Sequence, residues 1–322
     1  MLSALGPRPS ATGQCWSSPQ TAFSLLPSAK YNDPMPKNWV SAKELFAKVF
    51  EPKLRIIDVR SNLMDHHYGA TKYAEGHLPN AVRLDLEHDL SGPKSKHGGR
   101  HPYPSVQHIK QVFEHIGVSD GTRVVAYDDA GGMFAARVWW LLKYIGHENV
   151  QLLDGGIQAW LEAGFSLETK VPSFAKGKLT GTPRSELLAS VEEVRTVKDR
   201  SDVLLIDARA PERYRGDIEP IDRIPGHIPG AINRPFGKNL DNGKFKSLEA
   251  LKEQYQDLTG PEEKILYCGS GVSAAHNALV FHELGIPHRL YAGSYSDWVS
   301  YPEHDVETGE ATLDRSQVPV DS

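Results

Sequence analysis

Leu204-Leu-Ile-Asp-Ala-Arg209 repeats an earlier stretch of the chain, Arg55-Ile-Ile-Asp-Val-Arg60. A second motif recurs in the same order, with Gly226-His-Ile-Pro-Gly-Ala231 corresponding to Gly76-His-Leu-Pro-Asn-Ala81. The matched positions are separated by about 150 residues, which is too long for a solenoid repeat and typical of a duplicated domain.

Short apolar runs alternate with helical patterns in each half of the chain. Val124-Val-Ala-Tyr-Asp128 and Lys264-Ile-Leu-Tyr-Cys268 are matching runs of this kind. After the first of them, one helical face is apolar up to Gly146, with the residues Phe134, Val138, Leu141, Leu142 and Ile145. This alternation predicts an α/β fold with two tandem domains, each a parallel sheet flanked by helices on both faces.

Composition changes along the chain predict the domain boundaries. Residues 38–168 form the first domain and residues 186–305 the second, joined by a Pro- and Gly-containing linker over 169–185. Residues 1–37 and 306–322 are polar and are predicted to be a flexible extension and a flexible tail.

Charge and cysteine content exclude several classes of function. The 322 residues carry a net charge of −5, which argues against a nucleic-acid-binding surface. No apolar run is long enough to span a bilayer, so no membrane partner is expected. Cys15 and Cys268 are the two cysteines, too few for a disulfide framework, and they favour a reducing compartment. We expect a cytoplasmic protein, or a mitochondrial one if residues 1–37 are a transit segment.

Cys268 begins the stretch Cys-Gly-Ser-Gly-Val-Ser-Ala274, between a predicted strand and a predicted helix. Backbone N–H groups and the helix dipole at such a junction favour the thiolate, which is the nucleophilic form of cysteine. Gly269 and Gly271 would let successive N–H groups converge on an anion. The sequence therefore predicts a catalytic cysteine rather than an inert buried one. A metal site is not expected, since no cluster of Cys and His has ligand spacing.

With its paired Asp-x-Arg strands, paired Gly-His-x-Pro-x-Ala turns and cysteine loop, the chain resembles the two-domain rhodanese family of sulfurtransferases over roughly residues 38–305. The resemblance implies a catalytic second domain and a non-catalytic first domain, in which Asp128 stands in the place of Cys268. It implies sulfur transfer through a cysteine persulfide, without a cofactor. The neutral loop is similar to that of members that use 3-mercaptopyruvate, and Gly269, Gly271, Val272 and Ser273 are then expected at the substrate.

The resemblance also implies residues that bind the donor carboxylate. Arg213 and Arg223 match the substrate-binding arginines, which suit a carboxylate because a guanidinium can donate two parallel hydrogen bonds. Arg223 lies one residue beyond the expected spacing, so Arg215 is an alternative.

A Ser–His–acid group beside the cysteine is a further implication. Ser270 would be the serine, His101 the histidine contributed by the first domain, and Glu87 the acid, with Asp85 as the alternative acid. Such a group could protonate the enolate that 3-mercaptopyruvate leaves after losing its sulfur.

Two other functions are compatible with the sequence. One is a thiosulfate sulfurtransferase on the same scaffold, and the other is a non-catalytic rhodanese-like binding module. The expected sulfur acceptor is thioredoxin, a small thiol or cyanide.

Overall fold

A computed structural model describes residues 38–258, 260 and 262–310 of the chain. The predictions for residues 1–37, for Cys15 and for residues 311–322 lie outside the described part. The rest contains two five-stranded parallel sheets and one short antiparallel pair of strands. Among the described residues, no helix has both the length and the apolar composition needed to cross a membrane.

The first sheet has the strand order β1-β5-β4-β2-β3. Its strands are β1 (Trp39–Val40), β2 (Leu54–Asp58), β3 (Ala81–Arg83), β4 (Arg123–Tyr127) and β5 (Val150–Leu153). The helices of this half are α1 (Ala42–Phe46), α2 (Tyr68–Glu75), α3 (Val106–His115), α4 (Ala135–Tyr144) and α5 (Gly156–Glu162).

The second sheet has the equivalent order β6-β12-β11-β7-β8. Its strands are β6 (Leu188–Ala189), β7 (Val203–Asp207), β8 (Ile232–Asn233), β11 (Glu263–Tyr267) and β12 (Arg289–Tyr291), while β9 (Leu240–Asp241) pairs with β10 (Lys244–Phe245). The helices are α6 (Val191–Val197), α7 (Pro211–Arg215), α8 (Leu248–Gln254), α9 (Ser273–Leu284) and α10 (Ser294–Trp298). The parallel sheets and the order of elements agree with the predicted α/β architecture.

The repeated motifs make the same contacts in both halves. Asp58 forms a buried ion pair with Arg60 at 2.7 Å, and Asp207 forms one with Arg209 at 2.6 Å. His77 and His227 each bond through Nδ1 to a backbone carbonyl 2.8 Å away, that of Tyr73 or Tyr214, and stack on the same tyrosine ring. These contacts are those of residues that hold the fold together.

The two halves share one apolar core, which lies between their sheets. Helix α4 of the first half packs against α9 of the second, and apolar residues of both belong to a single buried cluster. The sequence predicts burial of only one face of α4, but Arg137, Trp139 and Trp140 are buried as well. A helix buried between its own sheet and a second domain needs no polar face.

The segments assigned to the linker and the tail contact the folded body. Gly177 N donates to Glu114 O at 2.7 Å, and Leu179 is buried. At the other end, Glu307 exchanges two backbone hydrogen bonds with His227, at 2.8 and 3.0 Å. Residues 306–310 therefore pair with the second half instead of leaving it at residue 306.

Candidate active site

Cys268 lies in a tight loop between β11 and α9, at the carboxyl end of its parallel sheet. Its side chain is 2% exposed, and its Sγ accepts a hydrogen bond from Gly271 N at 3.1 Å. Gly271 has φ +74°, and a Cβ on it would lie 2.2 Å from Ala292 O. Only glycine permits this turn, which directs an N–H group at the sulfur.

The rest of the loop leads into the helix. Val272 precedes the first turn of α9 and packs in the shared core, and Ser273 is the first helical residue. Both are buried. Val272 has no polar side-chain atom, and Ser273 makes no described side-chain hydrogen bond. The expectation that they contact the substrate therefore rests on their position in the cysteine loop alone.

The matching loop of the first half holds a carboxylate where the second half has its thiol. Asp128 is fully buried, and its two oxygens accept four backbone hydrogen bonds at 2.7–2.9 Å, from Ala130, Gly132, Phe134 and Ala135. Burial raises the pKa of this carboxyl, and the four N–H groups act against that shift. The loop of this fold is thus a nest of N–H groups that encloses an anion.

A chain of hydrogen bonds links the cysteine loop to the first half. His101 Nδ1 lies 2.7 Å from Ser270 Oγ, and His101 Nε2 lies 2.8 Å from Glu87 Oε1. The structure therefore brings together the three residues predicted for the Ser–His–acid group. Asp85 is directed elsewhere, because it contacts Arg83 and His88.

Burial sets the protonation state of this chain. Desolvation lowers the pKa of His101 to about 4, and the charge of Arg137 acts in the same direction. For Glu87, burial alone would raise the pKa, but hydrogen bonds from Lys94 and His101 outweigh it and the pKa lies below its ordinary value. Around neutral pH, an imidazole is thus neutral beside a carboxylate. Nε2–H then donates a hydrogen bond to Glu87, and Nδ1 accepts a hydrogen bond from the Ser270 hydroxyl.

Two arginines, one from each half, face the residue after the cysteine. A Cβ built on Gly269 would lie 2.9 Å from Arg100 Nη2 and 3.5 Å from both terminal nitrogens of Arg213. Arg213 was predicted from the family pattern, but Arg100 was not. Its position directly before His101, after Gly98 and Gly99, is the sequence signal that could have indicated it.

The two other predicted arginines bond to groups outside the cysteine loop. Arg223 Nη2 donates to Val299 O at 3.0 Å. Arg215 pairs with Asp217 at 2.8 Å and contacts Glu310. In this arrangement, Arg100 takes the place beside Arg213 that was expected for Arg223.

Arg137 is a second residue that the sequence did not single out. It is fully buried on α4 and donates only to carbonyl oxygens, those of Leu90, His101, Pro102 and Gly271, at 3.2–3.4 Å. Its guanidinium therefore ties the His101 segment to the Cys268 loop. A charged residue inside the apolar run 134–145 was the available signal.

Comparisons with known proteins agree with this geometry. The family model of the rhodanese-like domain matches residues 41–163 and 190–301. A probable 3-mercaptopyruvate sulfurtransferase of Pseudomonas aeruginosa is 41% identical over 278 residues, 84% of this chain and 98% of that protein. A putative thiosulfate sulfurtransferase of Mycobacterium tuberculosis is 41% identical over 261 residues, 80% of this chain and 91% of that protein.

A solved structure is similar over the same region. It is the crystal structure of a 3-mercaptopyruvate sulfotransferase from Escherichia coli, with a TM-score of 0.72 and 28% identity, covering 81% of this chain and all of that one. Each matched range of the family model contains four of the five strands of one parallel sheet, and the second range contains Cys268. The chain belongs to the rhodanese family, as a tandem of two rhodanese-like domains.

Proposed function

We propose that this protein is a sulfurtransferase that takes sulfur from 3-mercaptopyruvate, carries it on Cys268 as a persulfide, and passes it to a thiol or to cyanide. The observation that carries the proposal is the Cys268 loop, with its N–H group on the sulfur and its link through Ser270 to His101 and Glu87. The names of relatives at 41% identity support the same reaction class.

The first-half loop supports the persulfide as the carried form. There, the Asp128 side chain extends two atoms beyond its Cβ, and its carboxylate oxygens accept hydrogen bonds from four N–H groups. A persulfide places its outer sulfur at a similar reach from the backbone of residue 268. Ser270, Val272, Ala274 and Ala275 are the positions that match the four donors of the first half. The N–H groups of Ser270, Val272 and Ala274 would stabilise the outer sulfur anion, while Ala275 N donates to Val272 O at 3.2 Å.

Sulfur transfer proceeds in two displacements. The Cys268 thiolate attacks the donor sulfur, a new S–S bond forms, and the C–S bond of 3-mercaptopyruvate breaks with its electron pair on carbon. The enolate gains the proton that the donor thiol carried, and pyruvate leaves. An acceptor thiolate or cyanide then attacks the outer sulfur, and the Cys268 thiolate is released.

The chain from Ser270 to Glu87 would move that proton. Neutral His101 can accept the hydroxyl proton of Ser270 through Nδ1 while Ser270 takes the proton of the donor thiol. Reversal of these steps delivers a proton to the enolate carbon. Glu87 holds the imidazole in the required tautomer and stabilises its charged form.

Thiosulfate is the second candidate donor. Arg100 and Arg213 both face Gly269, and two guanidinium groups suit an anionic donor of either kind. A relative named as a thiosulfate sulfurtransferase is as similar in identity as the mercaptopyruvate relative. A non-catalytic module is disfavoured because the loop of the second half keeps the Cys268 thiol, whereas the matching loop of the first half holds the Asp128 carboxylate.

The acceptor is proposed to be thioredoxin, a small thiol or cyanide, in a reducing compartment such as the cytoplasm. A buried thiol without a disulfide at Cys268 is compatible with such a compartment.

Mass spectrometry after incubation with each donor tests the proposal. Wild-type protein should gain one sulfur atom on Cys268 and release pyruvate from 3-mercaptopyruvate. The Cys268→Ser variant should gain no sulfur atom and should have an unchanged circular dichroism spectrum. The control variant Ser300→Ala, which lies outside the loop, should gain one sulfur atom as the wild type does. Sulfur transfer by the Cys268→Ser variant would refute the role of Cys268.

A further inference from the structure

Asp222 occupies the space between the two arginines that face the cysteine loop. Its Oδ2 accepts from Arg213 Nη2 at 2.9 Å, and its Oδ1 accepts from Arg100 Nη1. The Asp222 side chain is 3% exposed. A carboxylate whose two oxygens each take one guanidinium group is the arrangement that a bound donor anion would also adopt.

The backbone holds Asp222 in this position. Glu219 Oε1 accepts from Asp222 N at 2.9 Å and from Ile221 N at 3.0 Å. The same carboxylate pairs with Arg213 at 2.7 Å and, through Oε2, with Arg209 at 3.2 Å. Asp222 is therefore fixed by a turn whose own carboxylate is fully engaged, and it is not a loosely placed surface acid.

The ion pairs neutralise the charge at the mouth of the site. Arg100 and Arg213 supply two positive charges, and the buried carboxylates of Asp222 and Glu219 supply two negative charges. An incoming anion must displace Asp222 from the arginines and then stand beside its negative charge. Repulsion between like charges rises in proportion to the charge of the incoming anion.

We propose that Asp222 is a specificity-determining residue, which competes with the donor for Arg100 and Arg213 and selects against dianionic donors such as thiosulfate. A monoanionic carboxylate such as 3-mercaptopyruvate meets half of that repulsion. This inference rests on the proposed function, because it assumes that the donor binds beside Gly269. Discrimination by a repulsive group is a common source of specificity.

Anion binding provides a test that does not depend on turnover. Isothermal titration calorimetry with inorganic sulfate and with pyruvate compares a dianion with a monoanion on wild-type protein, Asp222→Asn and Asp222→Ser. Both variants should bind sulfate at least fivefold more tightly than wild type, with a smaller gain for pyruvate. Asp217→Asn is the matched control, because it also removes one negative charge from this loop. Asp217 is exposed and pairs with Arg215, so this variant should leave both affinities unchanged.

Donor kinetics with cyanide as acceptor complete the test. In both Asp222 variants, kcat/KM for thiosulfate should rise at least fivefold relative to kcat/KM for 3-mercaptopyruvate. Unchanged or weaker sulfate binding would show that Asp222 only orients the arginines, and an unchanged donor ratio would overturn its role in selectivity. If wild-type protein transferred sulfur from neither donor, the proposed function would fail, while the sulfate titration would still decide whether Asp222 occupies an anion site.

Discussion

Replacement of Asp128 by alanine should destabilise the protein strongly, although Asp128 lies outside the catalytic half. The change removes the acceptor of four buried N–H groups. A buried donor left without a partner costs about 1–3 kcal/mol. Taking the lower end for each group, since the loop can relax, gives a loss of about 4 kcal/mol in the free energy of unfolding.

Urea titration followed by tryptophan fluorescence measures this loss, and thermal melting should show a decrease in Tm of about 6 °C for a chain of this size. The neighbouring Asp129 is a matched control, because it is not fully buried and accepts a hydrogen bond from Tyr68 at 2.6 Å. Asp129→Ala should cost about 1 kcal/mol, the typical worth of one hydrogen bond. A loss for Asp128→Ala no larger than that of the control would refute the view of this loop as a filled anion nest.

The cysteine loop and three histidines give two more tests. Gly271→Ala should abolish persulfide formation and lower Tm, because its Cβ would lie 2.2 Å from Ala292 O at a φ of +74°. The control Gly243→Ala has a similar φ of +78° but open space around the new Cβ, so it should keep its activity. Equal activity in the two variants would contradict this prediction. Burial lowers the pKa of His276, His282 and His288 to about 4, so the unfolded state binds more protons below about pH 6.5, and stability present above that pH should be lost as the pH falls towards 4. Urea midpoints measured at pH 7.5, 5.5 and 4.5 should decrease in that order, and a constant midpoint would exclude these histidines as the cause.

Local patterns in the sequence predict the fold well. The short apolar runs that end at Asp128 and Cys268 coincide with β4 and β11, because buried parallel strands are apolar on both faces. The burial of α4 from Ala135 to Lys143 could not be predicted in this way. It depends on contact with α9, about 140 residues away in the chain, and helical periodicity reports only on a helix and its own sheet.

The site shows the same division between local and distant information. Cys268 and its glycines are adjacent in the chain, so their loop is visible in the sequence. Arg100 reaches this loop only through the docking of the two halves, so its place directly before His101 is the one local signal for it. Arg223 shows the converse, because spacing along the chain does not tell which way a long side chain turns.

The bond between Ser270 and His101 joins the two halves of the chain across a separation of 169 residues. An isolated second half would keep its sulfur-binding loop but would lose the imidazole, Glu87 and the buried guanidinium of Arg137. During synthesis, the half that lacks the cysteine emerges first and provides the partner surface before the reactive loop exists. Sulfur chemistry would then begin only in a fully assembled molecule, because Cys268 is synthesised after the first-half residues that serve it.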